Sequence, residues 1–416
     1  MRSASLPHSS ACLNSSPRHR AWVLAPALVL VALGCGEDSQ APTAPEATSP
    51  ALATASTTSL PLHQVSAGDL HTCGVAEDHR AYCWGFGAHG ELGNGTTANR
   101  LTPVAVIGGL SFRQVSAGSI YTCGVTTDDR GYCWGFNARG QLGDGTETTR
   151  FVPVAVAGNL RFRQVSAGTN HACAVTTDQR AYCWGLLTDD EPVVLGNGTT
   201  VGSATPVLVA GGLAFRQVSA GASHTCGVTT ADEAFCWGAD ESGQIGDGGG
   251  ASPLRLRPTR VAGAHRFSQV DAGVFHSCAV TLAFRAYCWG DNRAGQLGDG
   301  TTSPRFSPRA VAGGIAFERV SAGWQYSCGE STDNRTYCWG SNAFGQLGDG
   351  SETSASATPV LVAGGHFFDQ VSAGFSHTCA KTGAGRAYCW GNNGNGQLGD
   401  GTTTWRSTPR AVAGPM

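Results

Sequence analysis

The chain has 416 residues, a formal net charge of −3 and only 14% charged residues. This balance excludes the strongly basic surface that is typical of nucleic-acid-binding proteins and of proteins held on anionic membranes by basic patches. Glycine is abundant, at 59 residues, but shows no collagen period, so we interpret the glycines as markers of turns.

Residues 1–35 have the features of an export signal. Basic residues precede a mostly apolar run, 21–34, which is shorter than the ~20 residues of a membrane-spanning helix but suits a signal-peptide core. The run ends in V-A-L-G-C, which resembles the bacterial lipoprotein signal, although Ala32 stands where that family usually has Leu. We predict lipidation at Cys35, with a plain secretory signal as the alternative.

Residues 36–60 are rich in Pro, Ala, Thr and Ser and have no apolar period. This composition predicts a disordered tether with a typical reach of roughly 30 Å. Together, leader and tether predict an exported protein in the periplasm or at the outer membrane or cell surface. Its contact with the membrane would be a lipid anchor alone.

Residues 61–414 form a sevenfold repeat. The motif V-[SD]-A-G begins each copy, at Val65, Val115, Val165, Val218, Val270, Val320 and Val371. The first copy contains four short segments of strand-like pattern joined by Gly-rich turns, at 63–67, 71–75, 81–85 and 102–106. The copies are about 50 residues apart, and a period of that size with four strands per copy predicts an all-β, seven-bladed β-propeller with four short antiparallel strands per blade.

The two ends of the repeat region suggest how the ring closes. The first copy has no Thr-Pro-x-x-Val segment before it, whereas the last copy supplies one at 408–412. We therefore expect the N- and C-terminal strands to pair in one blade, which would remove open sheet edges.

Each repeat carries two cysteines ten residues apart. A hairpin that turns midway places such a pair directly opposite each other, close enough for a disulfide with slight adjustment. Zinc binding is the alternative, but zinc sites favour shorter spacings. The predicted pairs are Cys73–Cys83, Cys123–Cys133, Cys173–Cys183, Cys226–Cys236, Cys278–Cys288, Cys328–Cys338 and Cys379–Cys389, and they indicate an oxidising compartment.

Two other repeated residues have a structural and a functional interpretation. A Trp follows the second cysteine of every copy, for example Trp84 and Trp134; packing between blades is favoured over a ligand cage. A His near the start of the second segment is replaced by Tyr121 and Tyr326 in two copies. A position that accepts Tyr favours a hydrogen-bonded structural residue over a catalytic base.

The string A-G-x-x-H-[ST]-C-x-V…Y-C-W-G-x-N-x-x-G-Q-L-G-D-G-T resembles the repeat of the regulator of chromosome condensation family, over about residues 62–414. The resemblance implies a seven-bladed propeller. It does not fix a function, because members include a nucleotide-exchange factor, a light receptor and a secreted β-lactamase inhibitor. The paired cysteines depart from the eukaryotic pattern and look like the bacterial exported type.

The two positions after each A-G vary most between copies. Equivalent loops of a repeated unit lie on one face of a ring, and aromatic residues at such places are typical of recognition hot spots. We predict that a partner binds the large apolar residues among them, with packing inside the channel as the alternative: Leu70, Ile120, Phe275, Trp324 and Phe375.

The pattern as a whole predicts a monomeric, non-enzymatic binding platform for a protein or a surface glycan, with no cofactor, no metal and no nucleic-acid partner. The sequence contains neither a G-x-S-x-G elbow nor a G-x-x-x-x-G-K-[ST] phosphate loop, and we predict no catalytic residues. The alternatives are an inhibitor of a periplasmic or extracellular enzyme such as a β-lactamase, a guanine-nucleotide exchange factor, and a lyase or hydrolase at the channel mouth.

Overall fold

The computed structural model describes residues 60–185, 195–250 and 252–415. Several segments lie outside these residues: the predicted signal with Cys35, nearly all of the tether, and an acidic insertion in the third repeat, 186–194. Within them the chain forms seven four-stranded antiparallel sheets, as the repeat predicted.

Each sheet is one propeller blade, numbered here in chain order. Blade 1 contains β1 (Leu62–Ala67), β2 (His71–Ala76), β3 (Ala81–Gly85) and β4 (Arg100–Ala105). Blade 2 contains β5 (Phe112–Ala117), β6 (Tyr121–Thr126), β7 (Gly131–Gly135) and β8 (Arg150–Ala155). Blade 3 contains β9 (Phe162–Ala167), β10 (Ala172–Thr176), β11 (Ala181–Gly185) and β12 (Ser203–Leu208). Blade 4 contains β13 (Phe215–Ala220), β14 (His224–Thr229), β15 (Ala234–Asp240) and β16 (Ser252–Arg260).

The remaining blades follow the same order. Blade 5 contains β17 (Phe267–Ala272), β18 (His276–Thr281), β19 (Ala286–Gly290) and β20 (Arg305–Ala310), followed by a short 3-10 turn at Ala312–Gly314. Blade 6 contains β21 (Phe317–Ala322), β22 (Tyr326–Ser331), β23 (Thr336–Ser341) and β24 (Ala355–Leu361). Blade 7 contains β25 (Phe368–Ala373), β26 (His377–Thr382), β27 (Ala387–Gly391) and β28 (Arg406–Ala411).

The expected closure by shared strands is wrong. Blade 1 consists of β1 to β4 and blade 7 of β25 to β28, so each blade is built from one continuous stretch of chain. Each repeat already contains four strands, so no blade needs a strand from the other end of the chain. The ring closes instead through contacts between complete blades: the Val65 and Ala67 N–H groups donate to Gln370 Oε1 and Ser372 Oγ, at 3.0 and 2.9 Å.

The predicted cysteine register is present in every blade. In blade 1, Cys73 of β2 lies directly opposite Cys83 of β3, and the structure joins them by a disulfide with a Cα–Cα distance of 4.1 Å. The six other predicted pairs are joined in the same way. All fourteen cysteines of these seven pairs are fully buried. Seven disulfides indicate an oxidising location outside the cytosol.

The hydrophobic core consists of walls between neighbouring blades. In one wall, Cys73 and Cys83 of blade 1 pack with Phe112 and Trp134 of blade 2. The Trp134 indole N–H also donates to the Glu91 carbonyl, 2.9 Å away. The opposite sides of the same strands face the other neighbour, since Tyr82 and Trp84 pack against blade 7. The repeated Trp is therefore a packing residue, as the strand alternation predicted.

Hydrogen bonds tie adjacent second strands together across each wall. His276 Nε2 lies 2.8 Å from Ser327 Oγ of the next blade. Because Ser327 donates its own hydrogen to the Gln296 carbonyl, His276 must donate from Nε2 and is the neutral Nε2–H tautomer. Where the repeat has Tyr, the hydroxyl reaches the next blade directly: Tyr121 donates to the His171 carbonyl at 2.6 Å. The repeated His is thus part of the wall.

Candidate functional site at the channel mouth

The first strand of each blade lines the central channel, and the turn that follows it forms one end of the channel. At that end the backbone N–H after the A-G donates to the glycine carbonyl of the next blade in every blade except blade 6; Asp69 donates to Gly118 at 3.2 Å and Phe375 to Gly68 at 3.2 Å. The glycine is required, because a Cβ on Gly68 would lie 2.3 Å from the Gly118 oxygen. The turns therefore form a narrow girdle of backbone.

The residues after the glycines surround a small cavity that we call the channel mouth. It has a volume of about 90 Å³, well below the roughly 300–1,000 Å³ of sites for drug-sized ligands. A cavity of this size suits one side-chain head group. Its variable lining residues are Asp69, Ser119, Thr169, Ala222, Val274, Trp324 and Phe375.

The most distinctive feature of the channel mouth is a pair of stacked aromatic rings. Trp324 of blade 6 and Phe375 of blade 7 have ring centroids 4.3 Å apart and planes 11° from parallel. Both side chains are half-buried, so the pair forms part of the accessible wall of the cavity.

The five predicted binding residues do not form one group. Trp324 and Phe375 line the channel mouth, but Leu70, Ile120 and Phe275 are one position further along and do not line it. These three turn residues use their backbone carbonyls to accept hydrogen bonds from the start of the loop after the third strand of their own blades. The structure thus brings together two of the five, and whether any of them binds a partner remains a prediction.

Asp69 is a lining residue that was not among the predicted binding residues. It is half-buried and lines the cavity next to Ser119 of blade 2. Burial raises the pKa of the Asp69 carboxyl, and the Ser119 hydroxyl opposes that shift. A signal was present in the sequence, since Asp69 is the only acidic residue at this position in the seven repeats.

Four of the five aspartates in the Gly-Asp-Gly turns at the same end of the ring pair with an arginine, and the fifth, Asp349, accepts from Ser351 instead. The loop between the third and fourth strands carries the Gly-Asp-Gly turn, and in blades 2 and 5 Asp144 pairs with Arg150 and Asp299 with Arg305, at 2.8 and 2.9 Å. Blades 4 and 7 contain the same kind of ion pair, between Asp247 and Arg255 and between Asp400 and Arg406. In the described part of the chain Asp69 forms no ion pair, and the polar side chain beside it on the cavity lining is that of Ser119.

Beneath the girdle, a belt of glutamines joins the first strands. Gln64 Nε2 donates to the Val115 carbonyl at 2.9 Å, and Gln64 Oε1 accepts from the Val115 N–H at 3.0 Å. Blade 6 departs from this pattern because Arg319 stands at the glutamine position. The Val371 N–H donates instead to the carboxylate of Glu330, which occupies a position that is Val75 in blade 1. Burial raises the Glu330 pKa to about 7, although Arg319 opposes the shift.

The repeated histidines are poorly placed for catalysis. Burial lowers the pKa of His71, His224 and His377 to about 3 and that of His171 and His276 to about 4. Within residues 60–185, 195–250 and 252–415, no three His, Cys, Asp or Glu side chains are arranged to hold a metal ion. No helix in this described part is both long and apolar enough to cross a membrane.

Known proteins share this architecture. The ultraviolet-B receptor UVR8 of Arabidopsis thaliana is 30% identical over 223 residues, which are 53% of this chain and 51% of the receptor. The E3 ubiquitin-protein ligase HERC2 of Homo sapiens is 28% identical over 204 residues, which are 48% of this chain and 4% of the ligase. The chain therefore spans about half the length of the receptor and a small part of the ligase.

Solved structures agree on the fold. Yeast RCC1 (Prp20), in a structure with Kap60, superposes with a TM-score of 0.72 and 19% identity and covers 85% of both chains. The ectodomain of the Arabidopsis thaliana receptor kinase ACR4 superposes with a TM-score of 0.52 and 20% identity and covers 80% of this chain and 97% of its own.

Two family models match the sequence directly. The model of the regulator of chromosome condensation (RCC1) repeat matches residues 62–91, and that of the RCC1-like domain matches residues 99–416. The chain therefore belongs to the RCC1-like domain family, as its repeat motif implied.

Proposed function

We propose that this protein is an exported, membrane-tethered and non-enzymatic binding platform, and that a protein partner docks on the end of the ring that carries the channel mouth. The observation that carries the proposal is the stacked pair Trp324–Phe375. Two half-buried aromatic rings break the sevenfold symmetry at a position where the other blades carry smaller side chains. Aromatic residues in such places dominate the energy of many protein interfaces.

The relatives support a binding role in general terms. Yeast RCC1 is a propeller of the same fold that was solved with Kap60, and the binding of Prp20p to Gsp1p and histones has been described. A rigid ring that presents variable loops at one end suits such a role, because the repeated walls can stay constant while the loops change.

Photo-cross-linking in the native host tests the docking face. A photoreactive phenylalanine analogue replaces Trp324 in one variant and Trp405 in the other. Trp405 is a matched control, because it packs against Phe344 at a centroid distance of 4.9 Å and is 53% exposed, but does not line the channel mouth. We expect a discrete cross-linked protein from position 324 only. Equal products from both positions, or none from position 324, would exclude the proposed face.

The tether has its own test. We expect the mature protein to begin at a lipid-modified Cys35 and to fractionate with membranes, while Cys35→Ser is recovered in the soluble fraction. Mass spectrometry of the N-terminal peptide measures the modification. A mature N-terminus elsewhere, or unchanged membrane association in Cys35→Ser, would contradict a lipid anchor.

A further inference from the structure

The channel mouth combines one unpaired carboxylate with two aromatic rings. Blade 7 lies between blades 6 and 1, so Phe375 stands between Trp324 and Asp69 around the ring; its backbone N–H donates to Gly68, the residue before Asp69. Three adjacent blades therefore place an indole, a phenyl ring and a carboxylate side by side on the lining of one small cavity.

The charge of Asp69 is uncompensated in the described chain. A half-buried carboxylate loses part of its hydration, and a neighbouring hydroxyl compensates that loss only in part. Four of the five Gly-Asp-Gly aspartates at the same end of the ring pair with an arginine of their own blade, and the fifth, Asp349, accepts from the backbone N–H and the hydroxyl of Ser351. Asp69 has neither arrangement in the described chain and has only the Ser119 side chain beside it, so the site favours a positive charge from elsewhere.

The aromatic rings favour the same kind of ligand. A cation over the face of an indole or phenyl ring is attracted most strongly when it is partly desolvated, and guanidinium and ammonium groups are the cations that proteins use there. The cavity volume of about 90 Å³ admits a single head group and excludes a larger organic ligand. A sugar ring would use the aromatic surface but would leave the negative charge without a counter-charge.

We propose that the channel mouth receives one basic side chain, Lys or Arg, from the protein partner, with Asp69 as the ion-pair acceptor and Trp324 and Phe375 as the aromatic wall. This assignment rests on the proposed function and adds the chemistry that the partner must present. It makes Asp69 a specificity-determining residue and the aromatic pair the source of contact area.

Peptide selection tests the assignment without knowledge of the partner. A displayed library of random peptides is selected on the disulfide-intact protein, after counter-selection on Trp324→Ala/Phe375→Ala to remove binders of other surfaces. We expect the remaining peptides to share a Lys or Arg. Replacing that residue by norleucine or citrulline, which keep its length but not its charge, should weaken binding about tenfold.

The reciprocal change is made on the protein. Asp69→Asn keeps the shape of the side chain and removes its charge, and it should weaken binding of the same peptides about tenfold. Asp78→Asn is the matched control, because Asp78 is exposed in the turn between β2 and β3, at the other end of blade 1. We expect it to leave the affinity unchanged.

Four results would overturn the assignment. They are mouth-dependent peptides without a basic residue, neutral replacements that bind equally well, an affinity unaffected by Asp69→Asn, and a selection in which no peptide depends on Trp324 and Phe375. These outcomes are separate from the cross-linking result: a cross-link at position 324 together with a failed selection would retain the docking face and reject the basic side chain.

Discussion

The walls between blades and the channel mouth use the same types of residue in opposite ways. In blade 6, Trp339 is fully buried in a wall, and its indole N–H donates to the Gln296 carbonyl at 2.9 Å. Trp324 of the same blade is half-buried at the channel mouth and stacks on Phe375 of blade 7. The burial of the wall tryptophan recurs in all seven repeats, and the indole hydrogen bond in every described repeat except that of Trp237; together they stabilise the ring. The stacked pair occurs once and leaves aromatic surface available. Repetition therefore marks stability in this fold, and departure from repetition marks candidate function.

The two tryptophans of blade 6 give the sharpest contrast. Trp339→Ala removes a fully buried side chain from a closed wall and should lower the free energy of unfolding by about 3–5 kcal/mol. Trp324→Ala should lower it by less than about 1 kcal/mol, because the cavity is already open to solvent. Denaturant unfolding under non-reducing conditions measures both. A loss at Trp324 as large as that at Trp339 would show that the stacked pair is structural.

A single disulfide is the next largest contribution. Replacing Cys123 and Cys133 together by Ala removes the constraint on a short loop and should cost about 2–3 kcal/mol, measured as a shift in the unfolding midpoint. Neither cysteine lies at the channel mouth, so the selected peptides should bind the variant with unchanged affinity. Loss of peptide binding by a folded variant would mean that the walls and the channel mouth are coupled.

Acid should weaken the walls through the buried histidines. The neutral Nε2–H form of His276 leaves Nδ1 buried without a partner in the described residues, and burial lowers its pKa to about 4 from an ordinary 6.5. The folded state then binds fewer protons than the unfolded state, so stability is full above pH ~6.5 and falls as the pH drops toward the folded pKa. The expected loss from His276 at pH 5 is about 2 kcal/mol.

His276→Tyr is the matched variant for this prediction, because Tyr121 and Tyr326 already bridge two other walls from the equivalent position. The variant should unfold at a lower pH than the parent protein while keeping a similar stability at pH 7. Circular dichroism across an acid titration measures this, and an unchanged acid midpoint would remove His276 as a cause.

The wall between blades 6 and 7 should respond to pH in the opposite direction. Burial raises the Glu330 pKa to about 7 from an ordinary 4.5, so the folded state binds more protons, and stability falls as the pH rises from about 4.5 to about 7. Glu330→Gln should remove this fall and stabilise the protein at pH 8 by about 3 kcal/mol. Equal pH dependence of the two proteins, measured by urea unfolding at pH 5 and pH 8, would contradict a titrating Glu330.

The sequence predicts the walls well because their constraints are local and repeated. The third strand of blade 1 was predicted at 81–85 and lies there, and the other three begin or end within two residues of the predicted bounds. Cysteines ten residues apart determine the hairpin register, and alternation places Trp84 and Cys83 on opposite sides. The closure of the ring was predicted wrongly because the sequence does not show to which blade the Thr-Pro-x-x-Val strand of a repeat belongs. The structure places that strand in the blade of its own repeat, so the lack of such a segment before the first repeat leaves no blade incomplete.

The channel mouth is harder to predict because it depends on the curvature of a turn. Two consecutive residues follow each A-G, and the sequence does not show which of them lines the cavity. Trp324 and Phe375 occupy the first position, whereas Leu70, Ile120 and Phe275 occupy the second. Asp69 was overlooked because it is neither large nor apolar, although its place beside the aromatic pair gives the site its charge.

Disulfide mapping of the protein purified from its native host tests the central claim most directly, since the structure of the walls and the oxidising compartment both depend on cysteines that pair within each repeat. Non-reducing peptide mapping should recover seven linked peptides, each joining two cysteines of one repeat, with no free thiol in residues 62–414. Free thiols in the repeats, or links between different repeats, would contradict both the structure of the walls and the proposed export.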